Sequence, residues 1–202
     1  MGRIYYIMGK SATGKDTIYK ELLRLQPQLK KVVPYTTRPI REGETDGVEY
    51  FFVTRSELAS IRESGNLIEL RTYDTVMGPW DYFTVDDGQF ELSGDTSCLM
   101  IGTLSSYEEM CSYFGRDRLS PVYIEVPDRL RLLRAIEREE LQRNPNYQEL
   151  CRRYLADEED FTEETLTRLG IETRFQNISL DRCLTEIQQK LFWRNRHGRR
   201  KN

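Results

Sequence analysis

Short apolar runs alternate along this chain with longer segments in which apolar residues recur at helical spacing. Residues 3–8 form an apolar run that ends at Gly9, which is typical of a buried strand closed by a turn. From Lys15 to Leu25 the apolar positions recur every three or four residues, and Pro27 interrupts that pattern. The pattern therefore predicts a strand, a glycine-containing loop and a helix at the start of the chain.

The same alternation continues through the rest of the sequence. Apolar or extended runs predict further strands at residues 66–73, 97–102, 121–126 and 173–179. Helices are predicted after two capping-box patterns, Thr54-Arg-Ser-Glu57 and Ser105-Ser-Tyr-Glu108, and then from Pro127 to a break at 144–146, over 147–161 and over 180–194. Because strands alternate with helices, the sequence predicts an α/β fold with a mostly parallel sheet.

The composition is that of an ordinary globular chain. The 202 residues include 30 Lys and Arg and 33 Asp and Glu, which gives a formal net charge of -3, and 38% are hydrophobic. A chain of this length buries a core without disulfides or a structural metal. Its nearly balanced charge gives no general reason to expect nucleic-acid binding. No run of 18 apolar residues occurs, so we expect no membrane partner.

The cysteines and the start of the chain bear on the cellular compartment. Cys98, Cys111, Cys151 and Cys183 are far apart, and the sequence contains neither a C-x-x-C pair nor a histidine cluster. Zinc binding is therefore not indicated, and we expect reduced thiols. The first residues lack a signal-peptide pattern. Together these features predict a cytoplasmic protein, and they leave its oligomeric state open.

The loop after the first strand has the chemistry of a phosphate site. Gly9-Lys-Ser-Ala-Thr-Gly14-Lys15 has the spacing G-x-x-x-x-G-K between a predicted strand and a predicted helix. Backbone N–H groups of such a loop and the helix N-terminus bind phosphate oxygens, and the lysine neutralises charge on the terminal phosphates. The predicted nucleotide-phosphate residues are Gly9, Ser11, Ala12, Thr13, Gly14, Lys15, Asp16 and Thr17.

Asp16 is an unusual residue at its position, because a serine or threonine normally follows the lysine of this motif. A carboxylate beside phosphates is repelled unless a cation lies between them. We therefore predict a Mg²⁺ site here. Asp16 would bind the ion directly or through water, and Thr17 would bind it through its hydroxyl.

A longer signature follows the loop. It comprises Thr36-Thr37-Arg38-Pro39-Ile40-Arg41-Glu42-Gly43-Glu44 and Asp46-Gly47-Val48-Glu49-Tyr50-Phe51-Phe52-Val53. In this order after a G-x-x-x-x-G-K loop, it resembles the guanylate kinase family, densely from residue 3 to about 70 and more thinly beyond. The resemblance implies a P-loop NTPase-type three-layer sandwich with acceptor-binding and lid insertions. It also implies Mg²⁺-assisted phosphoryl transfer from ATP, bound at residues 9–17, to GMP or dGMP.

The resemblance implies roles for four residues of the acceptor site. Arg38, Arg41 and Tyr50 match the residues that hold the acceptor phosphate in the family, and planar guanidinium groups and a phenol suit that task. Glu69 matches the glutamate that accepts hydrogen bonds from the N1 and N2 donors of guanine. From its position alone, an exposed strand residue would be the simpler interpretation of Glu69.

The segment after Glu69 departs from the family pattern. The family has a tyrosine and a small hydroxyl residue there, whereas this chain has Met77-Gly-Pro-Trp80-Asp-Tyr82-Phe-Thr84 with an apparent short insertion. We place Tyr82 and Thr84 in the phosphate- and base-contacting roles. A hydrophobic-core role for Trp80 and Tyr82 stays open as the alternative.

Two further departures concern the base and the metal. Pro34 stands where the family usually has a serine near the base. Cys98-Leu-Met-Ile-Gly-Thr103 lacks the acid with which the corresponding strand ends in the family. Base specificity and metal handling are therefore open, with Thr103 and Asp16 as the candidate replacements.

The charged helical section near residues 131–161 resembles the family's lid. Arg131, Arg134 and Arg138 lie at i, i+3 and i+7 on one helix face. Arg134 and Arg138 fit the paired lid arginines, and Arg153 fits a further one. A salt-bridged surface helix is the alternative. The predicted catalytic residues are Lys15, Arg41, Arg134, Arg138 and Arg153.

The resemblance implies a single domain over residues 1–202. Its core would cover about 1–33, 85–130 and 162–194, with a GMP-binding insertion at about 34–84, a lid at about 131–161 and a basic tail at 195–202. Two alternatives stay open. One is a related P-loop kinase of ribose 1,5-bisphosphate, whose loop can also contain Gly-Lys-Asp. The other is a catalytically weak guanylate kinase-like binding domain.

Overall fold

The computed structural model describes residues 2–75, 78–92, 94 and 96–193. The chain divides into two compact units. Unit 1 contains the chain up to Tyr5 together with Pro27–Ser120, and unit 2 contains Tyr6–Gln26 together with the chain from Pro121 onward. The predicted acceptor insertion falls within unit 1 and the predicted lid within unit 2, whereas Met77 and the predicted basic tail lie outside the described residues.

The predicted strands and helices are present within the described residues with some shifted ends, together with four strands and one α-helix that the sequence pattern did not predict. The strands are β1 (Ile4–Met8), β2 (Leu29–Lys31), β3 (Tyr35–Thr36), β4 (Phe51–Phe52), β5 (Leu67–Thr75), β6 (Gly78–Val85), β7 (Ser97–Ile101), β8 (Leu119–Glu125) and β9 (Arg174–Gln176). The α-helices are α1 (Lys15–Leu25), α2 (Arg55–Ser64), α3 (Leu104–Phe114), α4 (Asp128–Glu140), α5 (Tyr147–Asp160), α6 (Glu163–Arg168) and α7 (Leu180–Ile187). A 3-10 helix (Arg116–Arg118) precedes β8, and a π-helix (Gln188–Trp193) follows α7.

These strands form two sheets. The larger sheet has the strand order β2-β7-β1-β8-β9, in which β2 pairs with β7 and β8 pairs with β9 in parallel. The smaller sheet lies within unit 1 and has the order β4-β3-β6-β5, with an antiparallel β5–β6 pair. The predicted α/β class, with a mostly parallel sheet flanked by helices, is confirmed.

One face of the smaller sheet forms a hydrophobic core with α2. Leu58 of α2 packs with Phe83 and Val85 of β6, and these three side chains are buried. The ring of Tyr35 stacks on that of Phe83, with 5.4 Å between their centroids. Because side chains alternate along a strand, this core leaves the other face of β5 and β6 to polar side chains.

Local signals account for the start and end of α2. Thr54 and Glu57 form the predicted capping box, in which the Thr54 hydroxyl accepts from the Glu57 backbone N–H and the Glu57 carboxylate accepts from the Thr54 N–H. Gly65 ends the helix with φ 76°, a left-handed conformation that favours glycine.

One predicted helix boundary is wrong, and one predicted helix changes type along its length. The first residue of α3 is Leu104, and its N-cap is Thr103, whose hydroxyl accepts from the Ser106 N–H; Ser105 therefore lies inside the helix. The helix predicted over 180–194 is helical through Trp193, but its α-helical part, α7, ends at Ile187 and continues as the π-helix. In both cases the hydrogen-bond pattern, rather than side-chain periodicity, sets the boundary.

Two further observations concern the cysteines and the helices. All four cysteines are free thiols, with Cys151 exposed and the other three buried. Within the described part of the chain, the helices are all too short or too polar to cross a membrane.

Candidate functional site

The G-x-x-x-x-G-K loop joins β1 to α1 in unit 2, as the sequence predicts. Gly14 caps the start of α1 with φ 81°. A Cβ atom at Gly14 would lie 2.6 Å from the Asn177 amide nitrogen, and one at Gly9 would lie 2.5 Å from the Ile124 carbonyl oxygen. Both positions therefore require glycine. Ala12 is the one non-glycine residue with positive φ, at 62°, among the described residues. The loop thus holds a curled backbone with N–H groups suited to an anion.

Asn177, just after β9, braces this loop from behind. Its side-chain nitrogen donates to the Thr13 carbonyl oxygen at 2.8 Å, and the Thr13 hydroxyl donates to the Lys10 carbonyl oxygen at 2.8 Å. Asn177 and Thr13 are both buried. No local sequence pattern marks Asn177, because its partner is 164 residues away along the chain.

Lys15 lies among charged groups from three parts of unit 2. Burial lowers the pKa of Lys15 below its ordinary value of 10.5, and the nearby Arg153 and Arg138 lower it further, while Asp16 and Asp157 oppose that change. The structure therefore brings together three of the predicted catalytic residues, Lys15, Arg138 and Arg153. Such a cluster of positive charge suits a phosphoryl group in transfer.

Carboxylates of α5 also contact the loop. The Ser11 N–H donates to Asp157 at 2.8 Å, and the Lys10 ammonium pairs with Glu158 at 2.7 Å. The Asp157 carboxylate therefore accepts a hydrogen bond from the Ser11 N–H, one of the groups that we predicted to bind phosphate. Neither acid was recognised in the sequence, since both look like members of a solvated charge run.

Arg131 shares a face of α4 with the predicted lid arginines, but its side chain is buried. Its side chain is 1% exposed and pairs with Asp128, Asp157 and Glu158. Its guanidinium also lies over the Tyr154 ring, 4.1 Å from the centroid. Arg131 therefore joins α4 to α5.

The other arginines of α4 and α5 differ in environment. Arg134 is half-buried on α4, one turn before the exposed Arg138. Arg152 forms a surface ion pair with Glu149 at 2.7 Å. The charge of the neighbouring Arg153 instead acts on Lys15 and lowers its pKa. The catalytic roles of Arg134, Arg138 and Arg153 stay predictions.

The predicted Mg²⁺ ligands, Asp16 and Thr17, lie in the first turn of α1 with exposed side chains. Within the described residues no group of three or more His, Cys, Asp and Glu side chains forms a ready-made metal site. Mg²⁺ is commonly held by one or two protein oxygens together with substrate phosphates. One carboxylate and one hydroxyl beside a phosphate loop fit that arrangement.

The predicted acceptor residues lie on the polar face of the smaller sheet in unit 1. Glu69 pairs with Thr84 across β5 and β6, and Arg71 pairs with Tyr82. The next pair on the same face is Tyr73 with Trp80. Directly opposite residues share a face, so this register brings Glu69, Tyr82 and Thr84 into one surface.

Arg38 and Tyr50 join this surface through ring contacts. The Arg38 guanidinium lies 5.0 Å from the Tyr50 ring centroid and 5.3 Å from that of Phe52. The Tyr50 ring in turn meets the Tyr82 ring edge-on at 5.7 Å. Tyr82 is half-buried here, on the face opposite the hydrophobic core.

Arg41 approaches the same face through Trp80. Its guanidinium lies 6.0 Å from the Trp80 ring centroid, and its backbone N–H donates to Glu44 at 2.9 Å. The Arg41 side chain is exposed. All six predicted acceptor residues thus lie on or beside one polar face.

Glu44 holds Arg38 in place and was not assigned a role in the sequence. Its two carboxylate oxygens accept from the two terminal nitrogens of Arg38 at 2.7 and 2.5 Å. This bidentate hydrogen bonding lowers the pKa of Glu44 from 4.5 to about 2. Arg38, which is 4% exposed, is therefore fixed in orientation by a charged partner.

We expect the Arg38–Glu44 pair to contribute to stability at neutral pH and to lose that contribution in acid. Because the pKa of Glu44 is lowered by folding, its contribution is complete above pH 4.5 and disappears as the pH falls towards about 2. The difference in free energy of unfolding between the wild type and Glu44→Gln should therefore shrink over that range. Chemical denaturation at a series of pH values measures it.

The matched control for this experiment is Glu42→Gln, which changes an exposed carboxylate in the same loop. Its effect on stability should be small at every pH. A Glu44→Gln penalty that stayed constant from pH 7 to pH 2 would contradict the assigned ion pair.

Comparison with known proteins bears on the N-terminal part of the chain. The guanylate kinase family model matches residues 1–78. A guanylate kinase from Thermobifida fusca is 45% identical over 67 residues, which are 33% of this chain and 34% of that protein. A guanylate kinase from Pseudomonas fluorescens is 40% identical over 68 residues, 34% of this chain and 33% of that protein. The matched segment thus spans about a third of the length of these curated relatives.

Residues 1–78 are thus similar in sequence to guanylate kinases. The fold extends further than this segment. A crystal structure of guanylate kinase from Anaplasma phagocytophilum has a TM-score of 0.61 and covers 94% of this chain and 84% of that one, at 20% sequence identity. The guanylate kinase signature is thus concentrated in the first part of a chain that keeps the fold nearly throughout.

The surroundings of Glu69 contain a residue, Arg71, to which the family resemblance assigned no role. Arg71 donates from Nε to Glu69 at 2.9 Å and from Nη1 to the Thr103 hydroxyl at 3.3 Å. The Thr84 hydroxyl donates to Glu69 at 2.7 Å. Thr103, the candidate replacement for the missing acid, thus accepts from Arg71 and is also the N-cap of α3. Arg71 could have been found from the sequence, since residues i and i+2 of a strand share a face.

Proposed function

We propose that this protein transfers a phosphoryl group from ATP to GMP or dGMP, assisted by Mg²⁺. The observation that carries the proposal is the gathering of all six predicted acceptor residues on one polar face of the sheet in unit 1. The match of residues 1–78 to the guanylate kinase family supports the same reaction. An arrangement of two arginines and a tyrosine beside a buried glutamate suits a ligand that has a phosphate at one end and a base at the other.

Unit 2 would hold the donor nucleotide. Backbone N–H groups of residues 9–17 other than that of Ser11, which donates to Asp157, bind the ATP phosphates, and Lys15 places its charge on the terminal phosphates. Asp16 and Thr17 hold Mg²⁺, which neutralises phosphate charge when bound. Arg138 and Arg153, together with Arg134, stabilise the charge on the transferred group. The network of Asp157 and Glu158 with Ser11 and Lys10 holds the loop in shape.

Unit 1 would hold the acceptor. Arg38, Arg41 and Tyr50 bind its phosphate, and the Glu44 pair fixes the plane of the Arg38 guanidinium. Glu69, Tyr82 and Thr84 form the base-contacting part of the polar face. Phosphoryl transfer requires little covalent chemistry from the protein, so positioning and positive charge carry the rate.

The deciding experiment is an ADP-release assay with ATP, Mg²⁺ and one acceptor at a time. We expect turnover with GMP and dGMP and not with UMP or CMP. Arg41→Met should lower kcat/KM for GMP by about ten- to a hundred-fold, because one charged hydrogen-bond donor to the phosphate is lost. The KM for ATP should stay unchanged.

Arg62→Met is the matched control, since Arg62 is an exposed arginine in the last turn of α2. It should leave the kinetics unaltered. Turnover of ribose 1,5-bisphosphate without turnover of GMP would refute the proposal and identify the protein as a sugar-phosphate kinase. ATP binding without turnover of any acceptor would replace it by a binding domain.

The cellular setting is a further part of the proposal. A cytoplasmic enzyme of purine nucleotide metabolism, acting on small molecules without a nucleic-acid or membrane partner, is the setting that we predict. The free state of all four thiols is compatible with it.

A further inference from the structure

We propose that Arg71 determines which base the acceptor site takes, and that the site accepts 6-oxopurine monophosphates with or without a 2-amino group. This inference rests on the proposed function and specifies its substrate class. It concerns the polar cluster of Glu69, Arg71, Thr84 and Thr103, which the sequence pattern alone did not bring together.

The Glu69 carboxylate is already occupied by donors from its own unit. Arg71 donates to one oxygen from Nε at 2.9 Å and to the other from Nη2 at 3.3 Å, and the Thr84 hydroxyl donates to that second oxygen at 2.7 Å. A carboxylate has about four acceptor positions, so three of them are taken. The capacity of Glu69 to accept from the N1 and N2 donors of a guanine is correspondingly reduced.

Exposure shows which member of the pair a ligand meets. The Glu69 side chain is 1% exposed, whereas the Arg71 side chain is 20% exposed. The accessible part of this ion pair therefore belongs to Arg71 and not to the Glu69 carboxylate. Arg71 presents N–H donors where a free glutamate would present acceptors.

The Arg71 guanidinium is held in one orientation. Glu69 binds it through two nitrogens, and the Thr103 hydroxyl at the N-cap of α3 accepts from the third at 3.3 Å. Across the sheet Arg71 is directly opposite Tyr82, whose ring meets those of Tyr50 and Tyr73 at 5.7 and 5.6 Å. A planar group fixed on this aromatic surface can discriminate between base edges.

The chemistry of a fixed guanidinium selects an edge with two acceptors. Arginine pairs in this way with the O6 and N7 atoms of a 6-oxopurine. Adenine presents an amino donor in place of O6 and is therefore disfavoured. The group that would accept from the 2-amino group of guanine is Glu69, which is buried and largely occupied by other donors. The presence of the 2-amino group should therefore change kcat/KM little. GMP and IMP should thus be similar acceptors.

The test compares kcat/KM for GMP, IMP and AMP in the wild type and in Arg71→Ala. In the wild type we expect GMP and IMP to differ by less than about ten-fold and both to exceed AMP by about a hundred-fold or more. Removing Arg71 exposes the Glu69 carboxylate, so the preference for GMP over IMP should rise by at least about ten-fold. Arg62→Ala, with an exposed arginine of the same unit, should leave both ratios unchanged.

A second variant keeps the test usable if Arg71→Ala does not fold. Arg71→Gln retains an amide donor to Glu69 and combines it with an acceptor, the pair that glutamine offers to N7 and N6 of adenine. The ratio of GMP to AMP should then fall by at least about ten-fold. A wild type that prefers GMP over IMP by a hundred-fold, with ratios unaltered in both Arg71 variants, would overturn the inference.

Calorimetric binding of GMP, IMP and AMP without ATP separates this inference from the proposed function. Equal binding of GMP and IMP, altered in the Arg71 variants but without turnover, would refute the kinase activity and uphold the role of Arg71. Turnover of GMP, with a GMP-to-IMP ratio of kcat/KM that is the same in the wild type and the Arg71 variants, would uphold the kinase activity and refute the role of Arg71. If none of the three monophosphates binds, both are refuted.

Discussion

Replacing Lys15 with methionine is expected to lower kcat for phosphoryl transfer by about a thousand-fold or more, because a positive charge on the transferred group is lost. Methionine keeps most of the volume of the lysine side chain and removes only its charge. Since burial lowers the pKa of Lys15, keeping this ammonium ion charged has a cost in the folded protein. The fold should therefore tolerate the change, and single-turnover kinetics with a parallel stability measurement would check both statements.

Two further variants make the Lys15 result specific. Lys20→Met changes an exposed lysine of the same helix and should leave kcat unaltered. Lys15→Arg retains the charge but not the compact ammonium, so we expect only partial recovery. A Lys15→Met protein with nearly wild-type kcat would show that residues 9–17 do not form the phosphate site.

Replacing Arg131 with alanine is expected to destabilise the protein by about 3 to 5 kcal/mol, the usual cost of breaking a buried ion pair by removing one partner. Arg131 is 1% exposed and is the partner shared by Asp157 and Glu158, which would then repel each other beside the phosphate loop. The cation–π contact with Tyr154 is lost as well. Denaturant unfolding at pH 7 measures this change.

The comparison variants distinguish charge from packing. Arg129→Ala removes an exposed arginine of the same helix and should change stability by less than about 0.5 kcal/mol. Arg131→Met restores apolar contacts but removes the guanidinium that Asp157 and Glu158 share, so it should recover only a minor part of the loss. Equal stabilities of Arg129→Ala and Arg131→Ala would contradict the buried network.

Features that depend on neighbouring residues in the chain could be predicted from the sequence. The strand before Gly9, the loop and α1 were all predicted within one residue of their observed bounds. The capping box that begins α2 and the glycine that ends it were likewise predicted. In each case the cause is local, because a helix N-cap, a positive φ or an apolar period acts within a few residues.

The helix face of Arg131 shows where such reasoning stops. The spacing of Arg131, Arg134 and Arg138 correctly places them on one side of α4, since spacing determines which residues share a face. It does not say what covers that face. Arg131 became a buried structural arginine because Asp157 and Glu158 of α5 approach it, 26 and 27 residues further along the chain.

The base-contacting cluster illustrates the same limit in a sheet. The sequence marked Glu69 through its family resemblance, and strand alternation puts Arg71 on the same face. That Thr84 and Thr103 bind these two side chains depends on sheet register and on the start of α3, which no short segment specifies.

The sequence by itself therefore determined the α/β class, the phosphate loop and the family signature, because these depend on short-range backbone preferences and residue spacing. Only the tertiary structure decided which charges are paired: Arg38 with Glu44, Arg71 with Glu69, and Arg131 with the acids of α5. The strength of an ion pair depends on separation and burial. Both are set by folded segments that, for Arg131 and its partners on α5, are far apart in the chain.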